Sequence, residues 1–160
     1  MNEPVLRELT RITARFSATL FAAALFAFAA RRRVSAPVAA RLFVAFIAAH
    51  AVHFSIVFML AYATGGANFR ARGGYLLTIA VGVLFAAGAV AGFLRLRARE
   101  PTRGLRLAGG LGIGFIWFAF TETYAGRALR APVLAIPAVV LTAAFLAFLN
   151  ESRVLPRRSP

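Results

Sequence analysis

The chain has no cysteine and no aspartate, its 19 basic residues are all arginine, and its five acidic residues are all glutamate. Each absence removes a class of chemistry. Without cysteine there is no disulfide, no thiolate-bound metal, no cysteine-ligated iron–sulfur cluster and no thiol nucleophile. Histidine is nearly absent too, with two residues, His50 and His53, in 160. No nucleophile with its acid and base partners, and no metal triad, can be assembled from such a set, so a non-enzyme is expected.

What the chain has in abundance is apolar length. Hydrophobic residues make up 61% of it, and they fall in runs of about 15 to 22, roughly what an α-helix needs to cross a bilayer. The expectation is an all-α, polytopic transmembrane helix bundle of about five helices, filling residues 1–160 as a single domain, with spans near 16–30, 42–63, 75–94, 107–125 and 131–149. Upstream of the first span, Val5, Leu6, Leu9 and Ile12 recur at near-helical spacing among Arg7, Arg11 and Arg15, which reads as an amphipathic turn or two feeding into it. "RRR" follows that span where a secretory signal would carry small residues for cleavage, so the span is expected to be retained. Pro37 and Pro132 stand near the starts of spans two and five, where proline forfeits little, whereas Pro137 lies deeper and predicts a mild kink.

A net charge of +14 in a soluble protein would point to nucleic acid. Here the arginines lie at span ends and in short loops, where lipid headgroups are the natural partner, and no nucleic-acid partner is expected. One side of the bundle collects Arg31, Arg32, Arg33, Arg41, Arg95, Arg97, Arg99, Arg103, Arg106, Arg153, Arg157 and Arg158. The other has Arg7, Arg11, Arg15, Arg70, Arg72, Arg127 and Arg130. The richer side should be cytoplasmic, which predicts a bacterial inner-membrane protein with its N-terminus outside and its C-terminus inside.

Small residues mark where helices can approach closely. Gly88 and Gly92 in span three, and Gly110 and Gly114 in the "GGLGIG" of span four, each stand four apart, the spacing of a helix-packing face. Spans three and four against one another, or either against a second copy of the chain, would use it. The same "GGLGIG" lacks the Lys and Ser or Thr of a phosphate-binding loop and lies inside an apolar run, which excludes the nucleotide reading.

The stretch "AAHAVHFS" places His50 and His53 near the middle of span two. Three residues along a helix is a rise of about 4.5 Å and leaves the side chains roughly 60° apart, so both imidazoles serve one neighbourhood. Ionisable groups at that depth usually face the protein interior. One imidazole could ligate a haem, the pair could hold a metal ion, or they could meet a polar ligand or relay a proton. The plain alternative is packing, with the imidazoles hydrogen-bonded to hydroxyls such as Ser55, Thr78 or Tyr62. Axial ligands must approach a haem from opposite faces, so this pair cannot clamp one haem between them.

The segment "RLFVAFIAAHAVHFS", with Arg41 at the membrane edge and histidine near mid-depth, resembles the haem-ligating helix of the ferric reductase-like transmembrane family. That family includes the haem-b membrane subunits of bacterial methionine-sulfoxide repair systems. The resemblance implies a haem-b electron-transfer module, with His50 or His53 at the ligand position and the spacing from Arg41 favouring His53. The family draws its ligands from two helices, and this chain has no histidine outside span two. A second subunit would complete the haem, or the iron would be five-coordinate, or the site has been lost. The competing expectation is a non-catalytic accessory or structural subunit of a larger membrane complex, packed through its glycine faces.

A last polar group, Glu122, stands near the outer end of span four beside Thr121, Thr123 and Tyr124. The sequence suggests an interfacial acid paired with Arg127, with Tyr124 as an aromatic anchor; the alternative is a carboxylate that closes a cavity or moves protons.

Overall fold

A polar arm joined to an apolar run can continue as one helix if its polar side chains find partners along the helix itself. The computed structural model describes residues 2–31, 37–67, 74–98, 100–128 and 131–153, side chains excepted at 74–76, 134 and 153, and in it the first helix does so. Helix α1 runs Glu3–Ala29 without a break between arm and span. It starts where Pro4 occupies an early position that needs no N–H partner, with Glu3 acidic in the first turn. Arg7 pairs with Glu3 and Arg11 with Glu8, one helical turn apart. The hydroxyls of Thr10 and Thr13 donate back to the carbonyls of Leu6 and Leu9 at 2.8 and 2.7 Å.

Helix α2 (Pro37–Ala63) begins on its proline. It ends in two glycines of positive φ, Gly65 at +56° and Gly66 at +77°, with the Gly66 N–H reaching back to the Ala61 carbonyl at 2.7 Å. Helix α3 covers Gly74–Arg97. Helix α4 (Arg103–Ala128) is capped by Thr102, whose hydroxyl accepts the Leu105 N–H at 3.2 Å. A single 3-10 turn, Pro132–Leu134, leads into α5 (Ala135–Arg153). The change from 3-10 to α-helical hydrogen bonding thus falls just ahead of Pro137. Pro137 is the third residue of α5, inside its first turn rather than deep in the helix, where a missing N–H forfeits little.

All five helices are long and apolar enough to cross a membrane, and no strand occurs among the described residues. Large apolar side chains cover the outside, among them Leu111, Val139 and Val83, as expected where the solvent is lipid. Of the arginines used to orient the chain, Arg32, Arg33, Arg70, Arg72, Arg99, Arg130, Arg157 and Arg158 lie outside the described residues, as does the side chain of Arg153.

The helices pair unequally. α1 lies along α2, α3 along α4, and α5 joins the two pairs by packing on both α1 and α4. The remaining seam, between α2 and α3, carries far fewer contacts. The core between the pairs is aromatic: Phe21, Phe43, Phe46, Phe85 and Phe120 are all buried. Their rings meet at centroid distances of 5.2 to 6.1 Å in tilted or edge-on geometry.

Glycine sets the α3–α4 distance. Gly88 lies on Gly112 so closely that a Cβ on Gly112 would stand 2.5 Å from the Gly88 carbonyl oxygen, and Gly92 receives Ile113 and Phe43. The α4 glycines turned to α3 are therefore Gly109 and Gly112. Gly110, expected in that role, has open space where a Cβ would be, and Gly114 meets only Phe145 of α5. Because the obstacle at Gly112 is backbone, a methyl group there must part the helices. Gly112→Ala is expected to destabilise the bundle by about 1 to 3 kcal/mol, and Gly110→Ala by essentially nothing, in reversible unfolding in mixed micelles. Equal effects of the two substitutions would contradict this packing.

Candidate functional site

The antiparallel packing of α1 on α2 brings three pairs into register. Thr13 faces His53, Ser17 faces His50, and Phe21 faces Phe46 one turn further on. The Ser17 Oγ and His50 Nδ1 are 2.8 Å apart, with Ser17 fully buried and His50 nearly so. The Thr13 Oγ1 and His53 Nδ1 are 3.0 Å apart and only partly buried. The Thr13 hydroxyl also reaches the Leu9 carbonyl. With the hydroxyl proton on Leu9, the Thr13 oxygen accepts from a His53 protonated on Nδ1; the other tautomer reverses the bond.

The two imidazoles do share a neighbourhood, at a centroid separation of 5.3 Å. The hydroxyls on their Nδ1 atoms belong to α1, at Thr13 and Ser17, which the sequence did not single out. Ser55 donates to the Ala51 carbonyl of its own helix, and Tyr62 is 91% exposed. The signal was available: Thr13 and Ser17 stand four apart, the helical complement of histidines three apart on an antiparallel neighbour.

Around His50 the site is aromatic. Phe85 of α3 stacks flat on the imidazole, at 4.1 Å and 14°, while Phe54 and Phe120 meet it edge-on at 4.7 and 5.5 Å. The stack crosses the weak α2–α3 seam, where Phe85 also meets Phe46 and Phe54 at 6.0 Å. Beside it that seam holds a cavity of about 410 Å³, lined by His50, Phe54, Phe58, Thr78, Gly82 and Phe85 together with small aliphatic residues. Gly82 has open space where a Cβ would project. The cavity is thus almost wholly apolar, with an imidazole in its wall.

Toward a b-type haem the described residues of these surroundings offer one imidazole and nothing more. A second axial ligand would have to come from across the seam, where α3 offers Phe85, Gly82 and Ala86, and no described residue lining the cavity carries a charge to meet propionates. Nor do they gather a metal site, since among the described residues no group of three or more His, Cys, Asp or Glu side chains comes together. Glu122 stays apart from the histidines on an exposed stretch of α4, and no Glu122–Arg127 ion pair forms among the described residues. Tyr124, expected as an interfacial anchor, is instead buried in the core.

No family model matches the chain, and neither a curated protein nor a solved structure shows significant similarity to it.

A hydrogen bond between membrane helices contributes about 0.6 to 2 kcal/mol, and the better-buried pair should contribute more. Ser17→Ala is accordingly expected to lower stability in micelles by about 1 kcal/mol, and Thr13→Val by about half as much. A Ser17→Ala protein as stable as the parent would remove the hydroxyl–imidazole pairs from the forces holding α1 to α2.

Proposed function

We propose that this small membrane helical bundle is a non-enzymatic, accessory binding module that holds a lipid-soluble molecule in the α2–α3 seam. The observation that carries this reading is the cavity beside His50. Its volume lies in the usual range for small-molecule sites, its walls are apolar, and it offers a polar group at the membrane interior. With Nδ1 committed to Ser17, the ring has Nε2 for a ligand. The ligand class that suits this set is an apolar body carrying one hydrogen-bonding oxygen, such as a ring carbonyl or a hydroxyl. Its route of entry is sideways from the bilayer, through the least-packed seam. The arginine distribution supports a bacterial inner-membrane setting with the N-terminus outside and the C-terminus in the cytoplasm.

The second reading, a haem-b electron-transfer module of ferric reductase-like kind, is favoured by the resemblance of "RLFVAFIAAHAVHFS" and by the presence of His50 in the cavity wall. The two readings separate in one preparation. Protein purified in mild detergent from haem-replete cells is expected to show no Soret band that changes with dithionite. Solvent extraction and mass spectrometry should then find one lipid-soluble compound enriched over bulk lipid, reduced at least about tenfold in Gly82→Leu, which fills the cavity without meeting a neighbour at Cβ. A reducible Soret band lost in His50→Ala would instead establish the haem module. Extracts indistinguishable between parent and Gly82→Leu would defeat the binding reading.

A further inference from the structure

A second cavity, of about 370 Å³, opens where the C-terminal ends of α3 and α5 meet the first turns of α4. Arg95, Arg103, Arg106 and Ser152 line it, with Leu107 and Phe148 alongside, and no carboxylate is among its described lining residues. Arg95 is 3% exposed. Its Nη1 and the Ser152 Oγ are buried without a hydrogen-bond partner, and the ion pairs among the described residues include none of the three arginines.

Burying a guanidinium N–H unpaired costs free energy, and gathering like charges around it adds to that cost. The fold nevertheless holds Arg95 in place. The Phe28 ring meets two guanidinium groups, with the Arg31 Cζ 4.4 Å and the Arg95 Cζ 5.1 Å from its centroid. Arg31 is the one paired with Glu151, at 3.0 Å. Gly109 makes the berth for Arg95, because a Cβ there would run into the Cβ of Arg95. Gly110 lines the cavity and keeps its floor open. The arrangement is a preformed concavity with three cationic forks and a hydroxyl, and no carboxylate among its described lining residues; the nearest ion pair holds Glu151 on Arg31.

We propose that this cavity binds a phosphate group, with Arg95 as the buried ligand and Arg103, Arg106 and Ser152 completing the shell. Guanidinium forks match phosphate oxygens in geometry as well as charge, and basic pockets between membrane helices suit anionic headgroups. The phosphate can arrive on a phospholipid or free in solution. Leu107 and Phe148 give a lipid-borne phosphate an apolar surface for its chain that the free ion would not use.

The test uses the full chain in a neutral detergent, titrated with phosphatidylglycerol and followed by native mass spectrometry. One phosphatidylglycerol per chain should survive activation. Arg95→Gln should weaken its retention at least about tenfold and Arg103→Gln or Arg106→Gln about threefold or more, whereas Arg41→Gln, an exposed arginine of the same charge, should leave it unchanged. Because Arg95→Gln risks the fold, the exposed Arg103 and Arg106 variants decide the matter, each checked by its unfolding midpoint. Competition by millimolar inorganic phosphate would make the free ion the source; resistance to it would make the lipid the source. Failure of both probes to bind, or losses in Arg41→Gln as large as those in Arg103→Gln and Arg106→Gln, would overturn the site.

Discussion

In hydrocarbon an apolar helix face gains little from exchanging a lipid contact for a protein one, so whatever chooses the partner and register of a helix has to be directional or steric. In this bundle the directional choice is made between α1 and α2. The hydroxyls of Thr13 and Ser17 meet the Nδ1 atoms of His53 and His50, and that register carries Phe21 onto Phe46 and assembles the aromatic core. A slip of one turn would leave two imidazoles and a buried hydroxyl without partners in a medium that supplies none. The core, the stacked Phe85 and the cavity beside His50 all follow from that alignment.

The steric choice is made between α3 and α4. There the helices touch backbone to backbone, at Gly88 and Gly112, and the nearness has two effects at once. It brings the van der Waals contact that lipid tails cannot match. It also makes room at Gly109 for Arg95 to lie back into the bundle, with its guanidinium beside Phe28, rather than snorkel outward as arginines at helix ends usually do. The glycine seam therefore governs a packing distance and the position of a charge together.

Much of the architecture was legible in the sequence because apolar run length maps almost directly onto spans, and because a helix can satisfy its own backbone in lipid. The arm around Arg7 and Arg11 joined α1 for the same local reason, with each polar group finding a partner one turn away. The mid-depth histidines were legible as a polar spot with a shared face. Their partners were not, since Ser17 and Thr13 matter only once α1 is known to lie antiparallel to α2 in one register. The glycines show the same limit. A spacing of four names a face, as with Gly110 and Gly114, but which face meets which helix depends on the angular position of α3, which no spacing in α4 contains. Arg95 reads in the sequence as one more arginine at a span end, and nothing in "RLRARE" distinguishes it from its neighbours.

The pairing order of the helices, strong at α1–α2 and α3–α4, bridged by α5 and weak at α2–α3, makes the bundle a folded strip whose two edges meet rather than a closed ring. Thermal fluctuation in such an object concentrates at the meeting edges. A small separation there would exchange the contents of the seam with the surrounding bilayer while the hydroxyl–imidazole register, the glycine contacts and the arginine pocket stay in place. If both proposed sites are filled, exchange at the seam would not require the α3–α4 glycine contact that seats Arg95 to open, so the two could turn over at different rates.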